Sequence, residues 1–341
     1  MNWQKKLGWI ASALMLASAM VGGIVGGIVS GAAHAQTRDK VILMLNWYNY
    51  GEHAPFYYGV DKGLYRDEGL DLEIQEGRGS GVTIQAVAAG SAQFGYADVG
   101  TMMKATAKGA PAKAVGILLQ KSPMSAMGFA DKNITKPADM VGKTVAVTPG
   151  DSLSQMWPVF LKVNKIDASQ VKTIAGDATT KRNAVVNGQA DLLLGNANDQ
   201  KPIIEEQTGK PMRAVLFADF GVNTINAGIV ASKDLIAKNP DLVKRFMRAS
   251  MKSVEGAVKA PDEAVAAMLK INPKAGNPKT LRVSLDATIP LYHTAETEKA
   301  RPFQVQMKDV ASTLDMMVQY GGIEPATRGK PEDYYTPEFV Q

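Results

Sequence analysis

Residues 70–97 read LDLEIQEGRGSGVTIQAVAAGSAQFGYA. Residues 70–74 alternate strictly between apolar and polar, the period of a strand with one wet face. Gly77-Arg78-Gly79-Ser80-Gly81 then breaks the pattern, residues 82–89 run as a helix up to Gly90, and residues 94–97 form a short apolar run of strand length. A strand, a helix and a strand in so short a span make an α/β unit, the pattern of a mostly parallel sheet.

Working outward, residues 41–47 (VILMLNW) read as a buried strand and residues 54–63 as a helix with Pro55 in its first turn. Residues 101–108 follow as a helix stopped by Gly109, and residues 114–119 as another strand. The same grammar then starts again. Strands are expected at 142–147, 171–174 and 191–194, and helices at 152–164, 179–187 and 202–208, the last capped by Gly209. Two copies of one α/β pattern predict two similar lobes, although no repeat of fixed period is present. The final third changes character. Residues 240–259 carry Val243, Phe246, Met247, Met251, Val254 and Val258 on one stripe, with Lys244, Arg245, Arg248 and Lys252 elsewhere, which describes an amphipathic helix with a solvated basic face. Residues 261–271 and 307–320 add outer helices, and Pro325, Pro331 and Pro337 punctuate a tail.

Composition narrows the class. The chain has 341 residues, 45% of them hydrophobic, enough for a core and against disorder, and its length suggests two domains. It has no cysteine, which excludes disulfides, thiolate metal sites, iron–sulfur clusters, cysteine nucleophiles and a lipidated N-terminal cysteine. The formal charge is +5 with no basic stripe, so nucleic acid is not an expected partner. Lys5 and Lys6 precede an uncharged run rich in Ala, Gly, Val, Ile and Met, which closes on Ala33-His34-Ala35 before an abruptly polar segment. That is the anatomy of a secretory signal peptide, residues 1–35, cleaved after Ala35. The run is also long enough to be a membrane anchor, but its glycines and small-x-small exit favour cleavage. The mature chain then begins at Gln36 with a charge of +3, in the periplasm, and no later stretch is apolar for long enough to span a membrane.

In a parallel sheet the loops leaving the carboxyl ends of the strands face the crevice where ligands bind. After the first strand, Trp47, Tyr48, Tyr50, His53 and Tyr57 crowd into one short stretch, and rigid aromatic faces stack on planar ligands at small entropic cost. Core packing is the competing role for each, above all for Tyr57. Ser80 and Gly81 offer a hydroxyl and free N–H groups at a helix start, suited to an anion or a polar head. This loop has neither the Lys-Ser/Thr ending of a P-loop nor the last glycine of a dinucleotide fingerprint, so no nucleotide cofactor is expected. In the second lobe Thr148, Ser152 and Gln155 stand at the place read as equivalent. Asp98 and Asn196 follow the third strand of each lobe, with Asn198 and Asp199 close behind. Asp98 and Glu52 favour a ligand with N–H donors over a bare anion. No metal is expected, because there is no metal-spaced His/Asp/Glu cluster. His-Glu-x-x-His and Gly-x-Ser-x-Gly are both absent, and only His53 and His293 remain in the mature chain, so no catalytic residue is assigned.

HAPFYYGVDKGLYRDEGLDLEI (53–74), AVAAGSAQFGYADVGT (86–101) and KPADMVGKTVAV (136–147) together resemble the solute-binding proteins of ABC importers. The nearest branch is that of thiamine-pyrimidine-precursor, alkanesulfonate, taurine and nitrate binders, and the similarity covers essentially the whole mature chain. The resemblance implies a type II periplasmic-binding-protein fold, two α/β lobes joined by a two-segment hinge. Lobe 1 would comprise 36–127 and 224–341 and lobe 2 would comprise 128–223, with crossings near 124–130 and 226–232. It implies a monomeric, non-enzymatic receptor delivering a small-molecule ligand to an inner-membrane ABC permease and its ATPase. The expected solute is a planar heteroaromatic such as a thiamine-precursor-like pyrimidine, with a sulfonate, nitrate or aromatic carboxylate as the alternative. Residues 48–52 depart from the usual Thr-Pro-Asn of pyrimidine-precursor binders. Yeast and fungal relatives that make the thiamine pyrimidine use a cysteine-rich motif, which this chain lacks. An exported enzyme on the same fold, with His53 as base, is the rival from another class.

Overall fold

In the computed structural model, described for residues 38–341, the first sheet begins with β1 (Asp39–Met44), whose DKVILM is buried at Val41 and Leu43 and whose first two residues are exposed. The chain continues through α1 (Ala54–Asp61), α2 (Leu64–Asp67), β2 (Leu70–Gln75), α3 (Ser80–Ala88), β3 (Phe94–Asp98), α4 (Val99–Ala107) and β4 (Ala112–Ile117). The second sheet takes over with β5 (Met124–Phe129), β6 (Thr144–Val147), α5 (Ser152–Val163), β7 (Lys172–Ala175), α6 (Ala178–Val186), β8 (Leu192–Asn196), α7 (Ala197–Thr208) and β9 (Met212–Leu216). β10 (Ala227–Ser232) returns to the first sheet and is followed by α8 (Lys233–Lys238), α9 (Pro240–Lys259), α10 (Pro261–Ile271), α11 (Pro278–Thr288) and α12 (Met307–Gln319). The expected signal peptide lies outside the described residues. Among those described, no helix is long and apolar enough to cross a membrane.

Strand order is β2-β1-β3-β10-β4 in one sheet and β7-β6-β8-β5-β9 in the other. β1 pairs in parallel with β2 and β3, and β6 with β7 and β8; β10 and β5 run antiparallel to both of their neighbours. The two lobes therefore share one topology, which the alternating sequence predicts. Chain passage between them occurs at residues 118–123 and 217–226. The segments expected to cross, 124–130 and 226–232, are instead largely the antiparallel strands β5 and β10, each hydrogen-bonded on both sides. Their short Ala- and Gly-containing runs carry no alternation that would mark them as strands in the sequence.

Other differences have local reasons. α7 begins at Ala197 and carries Pro202 inside it, whereas reading Pro202 as the first helical residue follows that residue's usual preference. β9, α8 and α11 were not expected, although Asn277 followed by Pro278 is a strong start signal for α11, with the Asn277 carboxamide oxygen accepting from the Lys279 and Thr280 N–H groups. On α9, Val243, Phe246, Met247, Met251 and Val254 are buried against the first sheet but Val258 is exposed. Its basic residues pair with neighbouring elements rather than facing solvent alone. Arg245 Nη2 lies 2.7 Å from Asp39 Oδ2, and both Arg248 and Lys252 reach Glu68 just after α2. Each exposed pair contributes little, but together they fix the helix register on the lobe.

Candidate functional site

The residues leaving β1 are tied down before they reach the cleft. Gly77 N donates to Trp47 O at 3.1 Å, Gly79 N to Asn46 O at 3.0 Å, and Thr83 Oγ1 to Leu45 O at 2.7 Å. The loop after β1 is thus zipped to the loop after β2, so Trp47 and Tyr50 are held on a stiff support. Gly79 has φ +129, a conformation that only glycine adopts readily, and an added Cβ would lie 3.1 Å from Gly150 O across the cleft. The loops at 77–81 and 148–152 therefore face each other. They are not counterparts: 77–81 follows edge strand β2, while 148–152 follows central strand β6, whose counterpart is β1.

Two cavities lie between the lobes. The larger, about 250 Å³, is lined by Trp47, Tyr48 and Tyr50 from the first lobe, Thr280 and Ser284 of α11, and Arg182, Asp199 and Gln200 from the second. The smaller, about 30 Å³, is lined by Trp47, Tyr50 and Ser80 opposite Asp151, Ser152, Lys181, Asn196 and Asp199. Trp47, Tyr50, Asp199 and Gln200 border both. The expected site residues Trp47, Tyr48, Tyr50, Ser80, Ser152 and Asn196 are thereby brought together. The others stand behind them. Tyr57 is buried and donates to Asn49 Oδ1 at 2.8 Å, and Gly81 packs near Gly150 O. Thr148 is buried with its hydroxyl unpartnered, and Gln155 lies one turn into α5, bordering neither cavity.

His53 and Asp98 have structural surroundings. The His53 ring is fully buried, 4.4 Å from the Tyr50 ring centroid and edge-on to it, with Nε2 2.8 Å from Asn46 Oδ1. Burial without a charged partner pushes its pKa down to about 3, so the ring is neutral at any physiological pH. Asp98 caps α4, accepting from Thr101 N at 2.7 Å and Thr101 Oγ1 at 2.6 Å, and its second oxygen accepts from Asn226 Nδ2 at 3.2 Å. Burial raises its pKa to about 6, against those hydrogen bonds.

Beneath the aromatic wall, Glu52 joins the lobes. Its carboxylate accepts from Tyr96 Oη at 2.8 Å and, from the other lobe, Asn198 Nδ2 at 2.7 Å; the same Nδ2 donates to Thr288 Oγ1 at 2.7 Å. α11 also packs on α7. The lobes are closed on each other. Burial lifts the Glu52 pKa to about 7, opposed by the hydrogen bonds from Asn198 and Tyr96.

Besides Arg182 and Glu206 at the larger cavity, three groups from the second lobe carry charge to the cleft. Asp151 caps α5 through Ser154 N at 2.6 Å and lies 3.5 Å from Lys181 Nζ. Lys181 is 2% exposed, and its ammonium sits 5.2 Å from the Trp47 ring centroid. Asp199 accepts from Gln200 Nε2 through Oδ2 alone, and burial raises its pKa to about 6. Lys181, and Thr280 and Ser284 of α11, were not among the expected site residues. Their helices read as ordinary polar surfaces, and only the start signal at Asn277–Pro278 could have drawn attention to α11. Among the described residues no group of three His, Asp or Glu side chains could hold a metal ion.

Known proteins resemble this chain in sequence and in fold. The family model described as NMT1/THI5 like matches residues 50–264. A 4-amino-5-hydroxymethyl-2-methylpyrimidine phosphate synthase of Legionella pneumophila is 24% identical over 262 residues, covering 76% of this chain and 82% of that protein. A formylaminopyrimidine-binding protein of Halalkalibacterium halodurans is 25% identical over 292 residues, covering 83% and 87%. Among solved structures, the periplasmic aliphatic sulphonate-binding protein of Escherichia coli superimposes with a TM-score of 0.64 at 14% identity, covering 83% of this chain and 86% of that one. That likeness speaks to the fold, which is the two-lobed fold of solute-binding components of ABC importers. The family model spans well over half of the chain, and the protein belongs to the NMT1/THI5-like family.

Proposed function

We propose that the protein is a periplasmic receptor that captures a small planar heteroaromatic solute between its lobes and hands it to an inner-membrane ABC permease. The lead solute is a 4-aminopyrimidine of the thiamine-precursor kind. The observation that carries this reading is the pairing across the cleft of Trp47 and Tyr50 on one lobe with Asp199 on the other. An aromatic wall takes a ring face, while a buried carboxylate with Oδ1 unpartnered among the described residues takes ring or amino N–H groups. The formylaminopyrimidine-binding relative supports the same solute class. Ligand that touches both lobes favours the closed arrangement by its differential affinity for it, and the permease then reads closure. Export through the leader at residues 1–35 delivers the chain to that compartment.

The same reading assigns no turnover to this chain, although two relatives are named synthases. His53 is fully buried between Tyr50 and Tyr96, with Nε2 bonded to Asn46. A second solute class, a sulfonate, nitrate or aromatic carboxylate, is favoured by one feature. Arg182 lines the larger cavity and forms no ion pair among the described residues.

Native mass spectrometry of the protein purified from the periplasm, repeated after denaturation, tests the proposal. A retained aminopyrimidine that raises the melting temperature when added back is the expected result. An empty protein that also ignores pyrimidines, sulfonates, nitrate and aromatic acids in a melting screen sinks it. Chemical conversion of a bound candidate, lost in His53→Ala, replaces it with the enzyme reading.

A further inference from the structure

A lysine is almost never fully buried unless it is well paired. Lys181 is buried, yet the one carboxylate paired with it among the described residues, Asp151, stands 3.5 Å away, longer than the ~2.7–2.9 Å of a strong charge-assisted hydrogen bond. What receives the ammonium is the face of Trp47, at 5.2 Å from the ring centroid. Trp47 belongs to the first lobe and Lys181 to the second, so this contact exists only while the lobes are together. Both residues border the small cavity, as do Asp151 and Asp199. Asp151 cannot turn away, because its Oδ1 holds Ser154 N at the start of α5. Two carboxylates and one ammonium thus leave the lining of the small cavity one positive charge short. Arg182, whose charge reaches Asp199, and Glu206 border only the larger cavity.

We propose that the cleft selects a planar ligand bearing a positively charged nitrogen, and that Lys181 is an internal stand-in for that nitrogen, displaced from Trp47 when the ligand enters. This rests on the receptor reading above and specifies its ligand. A cation placed against Trp47 regains the ring's quadrupole attraction and meets the free Asp199 oxygen, while Lys181 swings fully onto Asp151. An anion in the same place faces two carboxylates. A neutral ring stacks without taking up the deficit.

The test is a matched series of 4-amino-2-methylpyrimidines that differ at C5: aminomethyl (cationic), hydroxymethyl (neutral) and carboxylate (anionic). Calorimetric titration at pH 7.5 should rank them in that order on the wild-type protein, with the aminomethyl compound at least tenfold tighter than the hydroxymethyl one. Lys181→Met removes the competing cation, and the aminomethyl compound should then bind at least threefold tighter still. Equal or tighter binding of the hydroxymethyl or carboxylate compound overturns the inference and leaves the receptor reading standing. Loss of all binding in a folded Lys181→Met also overturns it, because Lys181 would then be a ligand contact. If that variant does not fold, the wild-type ranking decides alone. Silence from all three compounds removes the pyrimidine reading, and the inference with it.

Discussion

The two lobes end their third parallel strands at corresponding points, β3 at Asp98 and β8 at Asn196, and the two ends behave differently. Asp98 closes on its own lobe: three hydrogen bonds from Thr101 and Asn226 use both of its oxygens. Asn196 caps α7 in position only. Its side chain makes no cap bond, and its buried Oδ1 has no partner among the described residues. The pattern extends outward. The first lobe presents a stiff wall, zipped together by backbone bonds around Trp47 and Tyr50. The second presents Asp199, Gln200 and Lys181 with bonding capacity unused. One lobe supplies shape and the other supplies unmet polar demand, so on the receptor role proposed above a ligand is specified only when the two meet.

Four predictions press on that contrast. The largest effect is expected at Glu52, where the lobes join. Its folded pKa of about 7 lies above the ordinary 4.5, so the folded protein keeps this proton where the unfolded chain has lost it. The stability that this proton contributes is full below pH ~4.5 and is lost as pH rises through 7, a difference of up to about 3 kcal/mol. Asp98 and Asp199, each raised to about 6, act in the same direction. His53, held near 3, acts oppositely: its contribution is present above pH ~6.5 and is lost as pH falls toward 3. Glu52→Gln keeps an acceptor for Tyr96 and cannot ionise, so its melting temperature should gain on wild type steadily from pH 5 to pH 8. Parallel curves for the two proteins would remove Glu52 as the pH-sensitive joint.

Trp47→Ala comes next. The residue is partly exposed, so the fold should survive, while ligand affinity falls by about 2 kcal/mol, some thirtyfold, through loss of stacking area. Calorimetry with a solute recovered from the protein measures it, and unchanged affinity would take the wall away from the first lobe. Asp98→Ala should instead cost about 1–2 kcal/mol of stability in urea unfolding, because α4 loses its cap, with ligand affinity nearly intact. The smallest effect on folding is expected for Asn196→Ala, within about 0.5 kcal/mol, since no bond of its side chain is lost. Its binding should weaken several-fold. If Asp98→Ala impaired binding while Asn196→Ala impaired only folding, the contrast between the lobes would be reversed.

Much of this fold was legible in the residues. The strictly alternating LDLEI at 70–74, the glycine stops at Gly90 and Gly109, and the apolar stripe of residues 240–259 each report a local environment that one element feels along its own length. The aromatic crowding after β1 was legible for the same reason, since it sits at a strand exit that topology aims at a crevice. His53 was harder. Its type suggested a ligand wall, but at the turn into α1 it points under Tyr50 and fills space between two tyrosines. The returning strands β5 and β10 carry short, nearly all-buried runs with no period to mark them.

The sequence by itself therefore determined the alternation of strands and helices, the doubling into two lobes and the aromatic content of the first strand exit, because each depends on contacts within a few residues. Tertiary structure alone decided that Lys181 on α6 and Thr280 and Ser284 on α11 border the cleft, and that Glu52 meets Asn198, 146 positions away. A polar helix face has the same pattern whether water or another lobe lies against it. What lies against it depends on how two separately folded sheets approach, and no local periodicity encodes that distance.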